Sequence, residues 1–279
     1  MLTVKDVFAK LNSGEITLED VIAKGMLSPV TQRIAKIKQP YGGYINPKEF
    51  ECIKLDGGTI DDLYPEENVH PVLIGITVDY LTRFMTGTPA QKAFEISQAG
   101  ANLIHKQRLF KKLLKKVKGL DNTSIVSAVK LSGFDTVYRA RSETYRPVKY
   151  IKPDANTIEN IRVMVERSLH FFEQYGPKVL DGLTFEGGYT GYVAAGDGDF
   201  LTRDTLWDFK VSKKKPLSKH TLQLFMYWRM GLHSIYHEYY ESVKNLGIYN
   251  PRMNVVYLLD VSKIPLGVIE KIEKEVIGY

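Results

Sequence analysis

The stretch "GDGDFLTRDTLWDFKVSKKK", residues 196–215, decides how the chain is read. Its aromatic and β-branched residues form two strand-like runs, with Thr202–Thr205 supplying the turn between them. Alternation along the second run sets Leu206, Asp208 and Lys210 on one strand face, and Trp207, Phe209 and Val211 on the other. Asp199 lies near the start of the first run and Asp208 in the second, so a hairpin brings both carboxylates toward one sheet edge. Two readings stay open at this point. A solvated hairpin carries alternating charge routinely, and the pattern D-x-K arises by chance in many proteins. The same groups also suit a hard divalent cation such as Mg²⁺, which takes carboxylate and water oxygens. Lys210 would then orient a water or balance charge on a phosphate, and Lys213, Lys214 and Lys215 would hold the flanking backbone.

Outward from this hairpin the pattern alternates between helix and strand. Toward the N-terminus, residues 89–119 read as one long helix or two joined ones, with Thr88 as cap, Pro89 in the first turn and Gly119 as terminator. A second helix is expected from about Asn156 to Tyr175. Toward the C-terminus a long helix is expected from about Ser218 to Asn245, then a buried strand in "NVVYLLDVS" (254–262) and a short helix over 265–278. This order defines an α/β chain with a mixed sheet and helices on both sides. The first seventy or so residues are punctuated by turn formers, with short helices expected at Val4–Asn12 and Leu18–Lys24. The expected division is an N-terminal lobe over residues 1–80 and a main domain over 81–279.

Composition narrows the classes further. With 279 residues, 44% hydrophobic and 25% charged, the chain matches an ordinary globular protein. Its single cysteine, Cys52, excludes an internal disulfide framework and any multi-cysteine zinc or iron–sulfur cluster. No apolar run reaches the length that spans a bilayer, and the opening residues alternate charge too early for a signal peptide. The expected setting is therefore cytoplasmic, with no membrane partner. A net charge of +6 is compatible with a polyanionic partner without demanding one.

The helix after the hairpin favours the second reading. In "KHTLQLFMYWRMG" (219–231), Lys219, Gln223 and Tyr227 recur at i,i+4 and share one stripe. The glutamine and tyrosine can hydrogen-bond to phosphate or to metal-bound carboxylates; the bland account is a solvent-facing stripe. Taken in order, Gly196-x-x-Asp199, Asp208-x-Lys210 and Gln223-x-x-x-Tyr227 resemble the PD-(D/E)XK nuclease superfamily, in its RecB-like exonuclease branch. The resemblance covers roughly residues 85–265.

That resemblance implies a restriction-endonuclease-like mixed central sheet flanked by helices, and Mg²⁺- or Mn²⁺-dependent hydrolysis of DNA phosphodiesters, exonucleolytic more than endonucleolytic. It implies Asp199 and Asp208 as metal ligands, with the Phe209 carbonyl and one helical acid. Glu95 is the preferred acid, with Glu166, Glu173 and Glu186 as rivals. Lys210 would assist the attacking water, and Gln223 and Tyr227 would organise the phosphate. Lys213, Lys214, Lys215 and Lys219 would contact nucleic acid. Repair, recombination, phage replication or defence are the expected settings, with protein partners or a homo-oligomer left open. The chain departs from the branch in two ways. It lacks the cysteines of the cluster-bearing members, and the histidine that many members place before the first aspartate has no secure counterpart, His105 being the nearest. The rival to catalysis is a nucleic-acid-binding or structural protein that keeps the nuclease scaffold.

Three further features draw attention. "HKQRLFKKLLKKVKG" (105–119) is a strongly basic amphipathic segment that suits a solvated face, a phosphate backbone or a membrane surface. "RARSETYRPVKYIK" (139–152) interleaves cations with tyrosines, as a strand-clamping loop or a packed loop would. His233 and His237 stand one helical turn apart but outside the H-E-x-x-H order, and no Walker A or dinucleotide fingerprint is present, so no ATP-driven motor is implied.

Overall fold

The central hairpin forms where the alternation places it. In the computed structural model, which describes residues 13, 28–56, 62–140 and 145–279, the first strand is β5 (Gly198–Leu201) and the second β6 (Thr205–Phe209). The turn between them is closed by the Thr202 amide donating to the Thr205 carbonyl at 3.0 Å. The buried Trp207 indole also donates to Thr202 Oγ1 at 2.9 Å. Phe200 pairs with Trp207 and Leu201 with Leu206. That register, carried one residue further, sets Asp199 across from Asp208.

Around the hairpin runs a six-stranded sheet in the order β2–β8–β7–β6–β5–β3. Its other strands are β2 (Glu51–Lys54), β3 (Leu180–Leu183), β7 (Asn245–Asn250) and β8 (Val255–Asp260). Only the β6–β7 pair is parallel; the remaining pairs are antiparallel. Parallel neighbours need a crossover, and helix α8 (Ser218–Leu232) supplies it. The result is a mixed α/β fold with a mostly antiparallel sheet flanked by helices. Two very short strands, β1 (Ser28–Pro29) and β4 (Val193–Ala195), pair in parallel beside it, and helix α1 (Val30–Lys36) follows the first.

Each face of the sheet has its own cover. Leu201, Leu206, Leu246 and Ile248 are buried with Leu222, Phe225, Met226 and Tyr227 of α8. On the opposite face, Phe171 from helix α7 (Ala155–Tyr175) stacks on Tyr249 at 4.1 Å and meets Trp207 edge-on at 4.8 Å between ring centroids. Asp208 alternates with Trp207 and so shares the α8 side with Leu206. Asp199, two residues from Leu201 along β5, lies on that same side.

Behind α7 is a helical layer. Helix α2 (Pro71–Met85), the short α3 (Ala90–Ala93), α4 (Glu95–Leu103), α5 (Gln107–Leu114) and α6 (Asn122–Ala140) share a core that includes Ile74, Val78, Phe94, Phe110, Ile125 and Phe134. The helix expected over 89–119 is thus three helices. The chain leaves α-geometry at Phe94 and again near His105, whose φ is +54°. The helix expected to reach Asn245 stops at Leu232: Tyr240 folds back onto Gly231, where an added Cβ would meet its ring at 2.2 Å. A separate turn, α9 (His237–Tyr240), fills the gap, and Asn245 begins a strand instead. The strand and helix expected at the C-terminus are present as β8 and α10 (Leu266–Ile272). The break expected at residue 80 falls inside α2, and β2 belongs to the main sheet. The helices expected at Val4–Asn12 and Leu18–Lys24 lie outside the described residues.

Gly100 lets α4 and α6 touch backbone to backbone. A Cβ there would sit 1.9 Å from the Phe134 carbonyl oxygen, and backbone cannot swing aside as a flexible side chain can. Gly100→Ala is expected to destabilise the fold by about 1–3 kcal/mol, read as a lower urea midpoint. An unchanged midpoint would mean that the two helices do not pack this closely.

Candidate active site

The β5–β6 hairpin brings Asp199, Asp208 and Lys210 together. The Phe209 amide donates to Asp199 Oδ2 at 2.5 Å, and Lys210 Nζ donates to Asp208 Oδ1 at 2.8 Å. Asp208 is only 3% exposed, and its second oxygen, Oδ2, is buried with no hydrogen-bond partner. A buried carboxylate oxygen left bare is costly. The electrostatics follow from this crowding. Burial, then the neighbouring Asp208 and Asp79 charges, push the Asp199 carboxyl up to about 7. Burial by itself would lower Lys210, but the Asp208 and Asp199 charges outweigh it and hold the ammonium above its ordinary value.

Helix α8 closes the α8 side of the pair. Gln223 Nε2 donates to Tyr227 Oη at 2.7 Å, as their i,i+4 spacing allows. Tyr227 stacks on Phe185 at 5.0 Å, and its hydroxyl is pushed up chiefly by burial, with Asp208 and Asp199 adding to the rise. The stripe is therefore buried at Tyr227 rather than solvent-facing, with Tyr227 3% exposed. At the start of the same helix His220 is held down to about 4, first by burial and then by Lys210. The imidazole stays neutral beside the lysine.

Asp79, on α2, is the acid that sequence reasoning missed. It is the single acidic residue of that helix, which is the signal that was there to find: one carboxylate in a largely apolar run, with Arg83 one turn on. Burial raises its carboxyl, with Arg83 opposing and Asp181 adding to the rise. Its charge acts on both Asp199 and Lys210. Asp79, Asp199 and Phe209 line one cavity of about 220 Å³, with Arg83, Arg139 and Lys178 at its walls; Asp208 is not among the lining residues.

The preferred helical acid, Glu95, also lines this cavity, but its carboxylate is half-exposed and paired with Lys92 at 2.7 Å. Glu166, Glu173 and Glu186 are not among the lining residues. Glu173 instead reaches His170, and Glu186 sits exposed in the turn after β3. The hairpin lysines also go elsewhere. Lys213 Nζ donates to the Pro65 carbonyl at 3.2 Å, Lys215 borders a separate groove with Phe50 and Tyr257, and Lys214 and Lys219 are exposed.

Two arginines tie the hairpin to the helical layer. Arg139, near the end of α6, donates to the buried Asp135 at 2.9 Å and reaches Asp197, two residues before Asp199, at 3.5 Å. Tyr80 donates a short hydrogen bond to the same Asp135. Arg83 of α2 pairs with Asp181 of β3 at 3.2 Å, and Lys178 joins Asp181 at 2.9 Å. Against the effect of burial, these two cations hold Asp181 below its ordinary value.

Chemically, the arrangement offers carboxylate oxygens for a hard cation, a cationic lysine beside them, and a hydroxyl–amide pair on the adjoining helix. Among the described residues, no group of three or more His, Cys, Asp or Glu side chains stands in a geometry that holds a metal ion. No family model, curated protein or solved structure matches the chain.

A raised Asp199 has a definite pH consequence. Between about pH 4 and 7 the folded state holds a proton that the unfolded state releases, so stability falls as pH rises through this window. Asp199→Asn lacks that titration. In EDTA, the stability of wild type relative to Asp199→Asn is expected to drop by on the order of 3 kcal/mol from pH 4 to 7, then level off. Parallel stability curves across that range would contradict the desolvated pair.

Proposed function

We propose that the protein is a metal-dependent nuclease of the PD-(D/E)XK type that hydrolyses DNA phosphodiester bonds. The observation that carries this reading is the bare, buried Asp208 Oδ2 opposite Asp199. A buried and a partly buried carboxylate on facing strands repel, and a cation between them would satisfy both. Mg²⁺ fits such a site because it keeps most of its waters and needs only one or two carboxylates. Asp199 and Asp208 would hold Mg²⁺ or Mn²⁺, joined by the Phe209 carbonyl. Asp79 suits the helical acid's role better than Glu95, because its charge already acts on Asp199.

When bound, the cation polarises a phosphoryl oxygen and acidifies a water. The chain's own residues do the rest. Lys210 stays cationic beside Asp208 and balances charge that develops on the phosphate. Tyr227, fixed by Gln223 and by stacking on Phe185, stays protonated and offers its hydroxyl as a donor. The mixed sheet with helices on both faces supports the family reading as a coarse match of architecture. No helix among the described residues is long and apolar enough to cross a membrane.

A second reading is a scaffold that binds nucleic acid without cutting it, and the want of a three-donor metal cluster among the described residues favours it. The two separate in one assay: linear and circular DNA, single- and double-stranded, incubated with EDTA, Mg²⁺ or Mn²⁺. Cleavage is expected only with metal, falling about a hundredfold or more in Asp208→Asn and Lys210→Ala. Asp79→Asn is expected to lose more activity than Glu95→Gln. Dependence on ends would show as sparing of the circles. Inert wild-type protein would leave the scaffold reading, and equal activity in all variants would place the activity outside this site.

A further inference from the structure

The positive charge of this chain is concentrated in one place. Lys106, Arg108, Lys111, Lys112, Lys115, Lys116 and Lys118 fall within thirteen residues that contain no acid, and these seven cations exceed the net charge of +6, so that acids and bases nearly balance over the other residues. All seven are exposed, and none makes a side-chain ion pair among the described residues. Helix stability does not explain the pattern. Arg108 with Lys112, and Lys111 with Lys115, are like-charge i,i+4 pairs, which weaken a helix. Lys106 and Arg108 also stand at the N-terminal end of α5, where the helix dipole disfavours cations.

The opposite side of α5 is committed. Phe110, Leu113 and Val117 are buried in the helical core, and Phe110 meets Phe134 of α6 edge-on at 6.5 Å. With its apolar face packed against the protein, the segment has nothing to insert into a bilayer, so a membrane-embedded amphipathic helix is disfavoured. A solvated array of unpaired cations fits a polyanion that presents regularly spaced charges.

The position of α5 narrows the partner further. Phe134 lies about 8 Å along the α6 axis from Arg139, and Arg139 lines the cavity that Asp79 and Asp199 share. We propose that the cationic face of α5 with its C-terminal extension, residues 106–118, is a docking surface for the phosphate backbone of nucleic acid. The choice of nucleic acid as the polyanion rests on the nuclease reading; the surface itself does not.

The test measures binding in EDTA, so that it does not depend on cleavage. Anisotropy of a labelled duplex of about 30 base pairs is followed from roughly 50 to 200 mM salt. Wild type is compared with the quadruple variants Lys111→Gln/Lys112→Gln/Lys115→Gln/Lys116→Gln and Lys111→Arg/Lys112→Arg/Lys115→Arg/Lys116→Arg. The Gln variant is expected to bind about tenfold or more weakly, with the slope of log affinity against log salt shallower by about 3, while the Arg variant keeps both. Equal binding by the Gln variant overturns the proposal, as does an equal loss in the Arg variant or a wild type that binds phosphatidylserine vesicles but not duplex. A protein that binds through this surface yet never cleaves would remove the nuclease reading and leave this one standing.

Discussion

Two carboxylates facing each other across neighbouring strands constrain everything around them. Asp199 and Asp208 share one side of the sheet, and the register that pairs Leu201 with Leu206 leaves them opposite. Like charges directly opposite on a sheet destabilise it, and burial makes the repulsion stronger. Several partial compensations converge there: the Lys210 ammonium on one oxygen of Asp208, the Phe209 amide on Asp199, and a raised Asp199 carboxyl. One oxygen remains uncompensated. This conflict, which Asn or Ser at either position would remove, is the observation behind the proposed cation site.

The rest of the molecule holds that conflict in place. Helix α8 packs on the same side of the sheet and presents Tyr227 and Gln223, while α7 locks the far side through Phe171, Trp207 and Tyr249. Arg139 and Arg83 reach from the helical layer to Asp197, just before β5, and to Asp181 on the edge strand β3. The helical layer braces the acidic hairpin, and through α5 it carries the unpaired cations of the proposed nucleic-acid surface.

The hairpin was legible in sequence because strand alternation has a period of two and the turn carries its own residue types. Asp199, Asp208, Lys210, Gln223 and Tyr227 were singled out by local spacing together with the resemblance to the nuclease superfamily, and the structure brings the hairpin residues and the α8 pair to the same side of the sheet. Asp79 was not legible in this way. Its approach to Asp199 depends on packing between α2 and a hairpin more than a hundred residues away, and no local period encodes that. Glu95 was preferred for its neighbourhood in the chain, yet its local partner Lys92 claims it. The breaks at Phe94 and His105 were also hidden, since the residues around them are ordinary helix formers. Lys213 illustrates the converse: it sits next to the site in sequence, but its side chain turns to the Pro65 carbonyl.

The central claim is that the Asp199–Asp208 pair is a divalent-cation site. Its most direct test is Mn²⁺ binding followed by electron paramagnetic resonance, titrating metal into metal-free wild type and Asp208→Asn. Loss of the free-Mn²⁺ signal to about one equivalent in wild type, absent in Asp208→Asn, is the predicted result. Equal uptake by both proteins, or none by either, would contradict it.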